Sequence, residues 1–128
     1  MTGEKRREDF LEAIFVLKLR PGCVRSVDVA RQLGIAKSSV SRTLKALVQE
    51  GYVEAPTSDS SALSLTNAGM QLARQTYERH CFFRDWLLWA GVDPETAEAE
   101  ACLLEHAISQ KSFGLIRSAL GEGKATAI

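Results

Sequence analysis

Nowhere does this 128-residue chain hold an apolar run approaching the ~20 residues that a membrane-spanning helix needs, which argues against membrane insertion. The opening segment, Met1 to Asp9, lacks the apolar core that a secretory signal carries behind its basic residues, so a cytoplasmic protein is expected. Cysteine is scarce: Cys23, Cys81 and Cys102 are too few and too widely spaced for a disulfide framework, and free thiols or a metal ligand are expected instead. Neither sign of charge is in excess, with 16 basic against 16 acidic residues, so overall balance gives no hint of a nucleic-acid partner. Internal repeats and low-complexity segments are absent. What remains is a globular chain long enough for one compact domain or two small ones.

The charge is unevenly spread. Between positions 18 and 45 stand Lys18, Arg20, Arg25, Arg31, Lys37, Arg42 and Lys45 against the single acid Asp28, a local footprint of the kind that phosphate backbones attract. Apolar spacing predicts a helix from Arg7 to Leu19, closed by Pro21 and Gly22. A second, capped by Ser26, is expected to reach Arg31 or Gln32, with Gly34 ending it, and a third to run from about Lys37 to Glu50. Tyr52 to Ala55 and Ala62 to Leu65 read as short strands around a hairpin tip of Pro56, Thr57, Ser58, Asp59, Ser60 and Ser61. A long helix capped by Thr66 should extend to about Ala90. Asp93, Pro94 and Glu95 then form a strong helix start for a segment reaching about Ser109, and a weaker helix is expected from Gln110 to Leu120 before a frayed end at Gly121 to Ile128. The fold class is therefore mainly α with a small β wing: a winged helix-turn-helix over residues 1–65, then a helical domain for metal binding and dimerisation over 66–128.

Two short helices joined at Gly34 have the form of a helix-turn-helix. On the second, small Ser38 and Ser39 permit close approach to the major groove, Arg42 is long enough for guanine edges, and Lys37, Ser41 and Lys45 share the outer face. Arg25 and Ser26 open the preceding helix, where N-terminal amides favour phosphate. Double-stranded DNA is thus the expected partner. The wing tip carries no Arg or Lys and should add little to phosphate affinity.

Further along, Cys102, Glu105 and His106 stand at i, i+3 and i+4, which puts a thiolate, a carboxylate and an imidazole on one helical face. Asp9 and Glu12 share a face of the first helix, and His80 sits within the long fourth one. If the three helices converge, these six side chains are a candidate set of metal ligands. Cys23 and Cys81 are expected to be structural thiols, and the aromatics Phe82, Phe83, Trp86 and Trp89 to form core and dimer interface.

In this order the segments EDFLEAIFVL (Glu8 to Leu17), SVDVARQLGIAKSSVSRTLKALVQEGYVE (Ser26 to Glu54), LSLTNAGMQLA (Leu63 to Ala73) and EACLLEHAIS (Glu100 to Ser109) resemble the metal-dependent repressors of the diphtheria toxin repressor and manganese transport regulator family. The combination of an acidic EDxxEA helix, a helix-turn-helix and a CxxEH helix is far more specific than any one of them. The resemblance implies that a divalent metal acts as corepressor, ordering the first helix against the dimerisation domain of a homodimer so that two recognition helices match a palindromic operator. By the same resemblance Asp9, Glu12 and His80 match ligands of the manganese-type regulators, Glu105 and His106 match positions used in both branches, and Cys102 is similar to the iron-type branch. Arg84 stands where iron-type members carry a glutamate of an ancillary site, and the length is similar to the shorter, manganese-type members.

Ligand chemistry leaves Mn(II) or Fe(II) as the expected physiological ion, with Co(II), Ni(II) or Zn(II) accepted in vitro, because carboxylates suit manganese while a thiolate beside imidazole shifts preference along the series. The expected function is a Mn- or Fe-responsive repressor of metal-homeostasis genes. The alternative is a metal-independent winged-helix regulator that senses an organic effector or an oxidant through its aromatic pocket and Cys81 or Cys102. Catalysis by a Cys102–His106 pair is not expected, because two side chains on adjacent turns of one helix build no oxyanion site.

Overall fold

The computed structural model describes residues 3–57 and 61–120, so Ser58, Asp59 and Ser60 of the expected wing tip and the expected frayed end at 121–128 lie outside the described residues. Among the described residues there are six helices: α1 (Gly3–Lys18), α2 (Ser26–Leu33), α3 (Lys37–Gln49), α4 (Asn67–Trp89), α5 (Pro94–Ala107) and α6 (Gln110–Leu120). They form two compact units, one ending at Arg74 and the other beginning at Gln75.

In the first unit, α1 starts at Gly3, a turn earlier than expected. Nothing in Glu4 to Arg6 breaks a helix, and an ion pair from Lys5 Nζ to Asp9 Oδ2 at 2.8 Å, four residues apart, supports the added turn. Phe10, Leu11, Ala13 and Ile14 point inward and pack with Val24, Val29, Val40, Leu44, Leu47 and Val53. Full burial of each large side chain contributes about 1.5–3 kcal/mol.

The start of α2 differs from expectation. Arg25, not Ser26, is the capping position, and its backbone N–H donates to Asp28 Oδ2 at 2.9 Å. The carboxylate three residues on therefore does the work assigned to the Ser26 hydroxyl. Gly34 ends α2 in the left-handed region at φ 67°, and the chain turns directly into α3.

In the two segments expected as strands after Gly51, Val53 and Leu65 form an antiparallel bridge, flanked by Glu54 N–H to Ser64 O at 2.9 Å and Thr66 N–H to Tyr52 O at 3.0 Å, and Thr57 is a further bridge residue. Thr66 closes the wing as expected: its hydroxyl donates to Gly51 O at 2.6 Å and accepts from Gly69 N–H at 3.0 Å. This stitch brings the first turn of α4 against the backbone of Tyr52. A Cβ placed on Gly69 would overlap the Tyr52 carbonyl oxygen.

The second unit is built on the remainder of α4 with α5 and α6. Asp93 caps α5, accepting from Thr96 N–H at 3.0 Å, and that bond holds its carboxyl below the ordinary range. The helix ends at Ala107, two residues early, because Ile108 is extended and Ser109 instead opens α6 by accepting Ser112 N–H at 3.0 Å. Phe82, Phe83 and Phe113 form an edge-on aromatic cluster with centroids 5.3–6.0 Å apart. Trp86 extends the cluster edge-on against Phe83 with centroids 6.5 Å apart, and Trp86 and Trp89, expected in core and dimer interface, are 39% and 53% exposed in the single chain. Among the described residues no helix is long and apolar enough to cross a membrane.

Candidate metal centre and nucleic-acid interface

In α3, Val40, Leu44 and Leu47 are buried, which fixes the rotation of the helix and turns Lys37, Ser38, Ser41, Arg42 and Lys45 outward. Ser39 is half-buried, and its Oγ accepts from Arg42 Nη2 at 3.4 Å, a bond within one turn that steadies the guanidinium on the exposed face. Arg25 is exposed and Ser26 half-buried at the opening of α2. The eight residues expected to meet DNA therefore all belong to the first unit, and most of them present their side chains to solvent.

The metal-ligand candidates divide between the two units. Asp9 and Glu12 are half-buried on α1, and Asp9 is engaged by Lys5. His80, Cys102, Glu105 and His106 belong to the second unit, where α4 and α5 bring them together. His80 is 6% exposed and Glu105 fully buried. His80 Nδ1 lies 2.8 Å from Glu105 Oε1 and 3.7 Å from Cys102 Sγ. His106 Nε2 stands 3.7 Å from Glu105 Oε2.

The electrostatics are those of a site short of positive charge. Cys102 and then Glu105, bonded to the imidazole, push the His80 pKa from 6.5 up to about 11, against the opposing effect of burial. The protonated form of His80 is thereby favoured. Even so, Glu105 Oε2 is buried with no hydrogen-bond partner among the described residues, a costly arrangement for a carboxylate oxygen. An unsatisfied buried oxygen beside two imidazoles and a thiol is a donor set that fits a divalent cation.

Two functional residues escape sequence reasoning. Glu98 places Oε2 at 2.7 Å from His80 Nε2, so the imidazole is held between two carboxylates. Its spacing of four from Cys102 was the available signal, masked by the other acids of α5. Arg79 is 3% exposed and donates from Nε to the Glu105 carbonyl at 2.8 Å and from Nη1 to Gln110 Oε1 at 2.7 Å. It ties the start of α6 to the turn of α5 that carries Glu105. Cys23 is exposed and Cys81 half-buried, and both are free thiols.

The chain matches two family models: "Iron dependent repressor, N-terminal DNA binding domain" over residues 3–58 and "Iron dependent repressor, metal binding and dimerisation domain" over residues 66–125. It is similar to the transcriptional regulator MntR of Salmonella typhimurium, 34% identical over 106 residues that make up 83% of this chain and 66% of that protein. The HTH-type transcriptional regulator MntR of Lysinibacillus sphaericus is 30% identical, over 85% of this chain and 75% of its own. A solved structure described as a manganese-dependent transcriptional repressor in complex with manganese superposes with a TM-score of 0.78 at 26% identity, over 90% of this chain and 52% of that one. The chain thus spans between about half and three quarters of the length of these three proteins.

Proposed function

Because the chain belongs to the iron-dependent repressor family, we propose that it is a metal-responsive, DNA-binding transcriptional repressor acting as a homodimer on a palindromic operator. A divalent cation, Mn(II) or Fe(II), is its corepressor. Asp9, Glu12, His80, Cys102, Glu105 and His106 would hold it, and when bound it would supply positive charge that neutralises the carboxylates among them. The observation that carries this reading is the buried Glu105 Oε2, which has no hydrogen-bond partner among the described residues and sits beside His80 and His106.

The residues of this chain then divide the work. His80 would serve as a ligand in its neutral form, and Asp9, paired with Lys5 in the metal-free chain, would offer its carboxylate to the cation. Arg25, Ser26, Lys37, Ser38, Ser39, Ser41, Arg42 and Lys45 contact the duplex, with Arg42 reading base edges and Lys45 a phosphate. A ligand shifts an equilibrium only by its differential affinity, so the cation must bind the DNA-competent dimer better than the alternative. Recognition helices one turn of DNA apart, about 34 Å, would suit two half-sites.

The test is to select duplexes from a randomised pool in the presence of Mn(II), then titrate Mn(II) and Fe(II) against binding of a selected duplex. Binding should rise with either ion and vanish on chelation. Duplex binding that ignores both metal and chelator would sink the proposal.

A further inference from the structure

On the corepressor reading, on which this inference rests, a cation held by Asp9 and Glu12 acts on α1, whereas the residues offered to DNA cluster on α3 and at the start of α2. A change in α1 alters DNA binding only if it reaches the recognition helix. α1 and α3 each pack closely against α2. Where they face one another directly, a cleft of about 260 Å³ opens, lined by Arg6, Arg7, Arg42, Thr43, Ala46 and Glu50. Arg7 spans it: Nε donates to Glu50 Oε1 at 3.1 Å, and the guanidinium carbon stands 5.5 Å from the centre of the Tyr52 ring. We propose that Arg7 is a positioning residue that couples α1 to α3, gripping the C-terminal end of the recognition helix so that the metal's hold on α1 reaches the side chains that face DNA.

The side of α1 that Arg7 occupies fits this role. At about 100° of rotation per residue, Asp9 and Glu12 lie within about 60° of each other, and Arg7 projects from nearly the opposite side of the helix. A tilt or roll imposed through the ligand face is therefore delivered at the Arg7 face.

The end of α3 fits it as well. Glu50 is the C-terminal capping residue of α3, whose last turn holds no basic side chain. An acid there opposes the helix dipole, whose negative pole lies at that end and favours a cation. Arg7 supplies the cation from another helix. A guanidinium can hydrogen-bond a carboxylate along its edge while its face rests on an aromatic ring, so the grip sets direction as well as distance. Tyr52 moves with α3, because its N–H donates to Leu47 O at 2.9 Å.

The Arg7 and Glu50 side chains are 30% and 44% exposed. Ion pairs this open to water add little to folding stability, so their loss should leave the chain folded and the coupling readable.

The experiment uses the full chain and a duplex selected in Mn(II), with matched titrations in the presence and absence of the ion. Without duplex, Arg7→Gln should bind Mn(II) within about threefold of the parent chain, yet the gain in duplex affinity that Mn(II) confers should shrink about fivefold or more. The Arg7→Glu/Glu50→Arg variant, which rebuilds the pair with its signs reversed, should recover most of that gain. In the metal-free chain, amide hydrogen exchange in the last turn of α3 should be about fivefold faster in Arg7→Gln and return toward the parent rate in the reversed pair. An undiminished Mn(II) gain in Arg7→Gln, or a loss traced to weaker Mn(II) binding without duplex, would overturn the proposal. Parent binding that ignores Mn(II) defeats the corepressor reading instead, and exchange then decides the coupling: unchanged rates in Arg7→Gln end it.

Discussion

The first unit buries apolar side chains around Phe10, Leu11, Ile14, Val29, Val40 and Leu47, whereas the second sets Thr76, Arg79, His80 and Glu105 beside its three phenylalanines. Every buried polar or charged side chain among the described residues thus falls after Arg74. Apolar burial is non-directional and tolerates small displacements, but a buried carboxylate demands a partner at a defined place. The unit offered to DNA is held by the forgiving kind of interaction, and the unit with four of the six candidate metal ligands by the demanding kind. A signal that supplies or removes one positive charge acts strongly on the second and hardly at all on the apolar core of the first.

That contrast is open to experiment. The largest effect is expected from Phe10→Ala, which should lower stability by about 3–5 kcal/mol in urea unfolding, because it removes a fully enclosed ring from the apolar core. Next comes Glu105→Gln. It should weaken Mn(II) binding by more than the about 10–100-fold typical of outer-shell losses, measured by metal titration of the full chain. Were Phe10→Ala to weaken metal binding as much as Glu105→Gln does, the division between the units would fail.

Protons provide a finer probe. His80, protonated up to about pH 11 in the metal-free protein, must become neutral to act as a ligand. Mn(II) affinity should therefore rise at least about tenfold per pH unit between pH 7 and 9, with at least one proton released per ion in weakly buffered titrations. The sign for stability is opposite. A folded-state pKa raised from 6.5 stabilises the metal-free protein fully below that pH, and the contribution fades as pH climbs toward 11, so its urea midpoint should drift downward over that window. A flat affinity profile would place His80 outside the ligand set. The smallest effect is reserved for the surface cap: Asp93→Ala should cost about 1 kcal/mol, read as a lowered thermal midpoint, and leave Mn(II) affinity unchanged.

What was legible in the sequence follows the same division. Helices announced by local chemistry, such as Asp93 before Pro94 or Gly34 after Leu33, appear where expected, because their signals are settled within a few residues. In the wing, alternation at Tyr52 to Ala55 suggests a strand, yet pairing depends on a partner, and the described residues show bridges at Val53, Thr57 and Leu65 and no continuous strand. In the candidate centre, Cys102, Glu105 and His106 were visible as a motif on one helix. Glu98 looked like one more solvated acid, and the burial of Arg79 was invisible because its acceptors, the Glu105 carbonyl and Gln110, lie 26 and 31 residues away. Buried charge is intelligible only when its distant partners are known.

The seam between Tyr52 and Gly69 bears on how this protein can vary. Elsewhere on α4 a small residue can be exchanged for a larger one if its neighbours give way, but here the obstacle is main chain, which no choice of rotamer relieves. Saturation mutagenesis at position 69, scored for folded protein, should therefore return glycine almost alone.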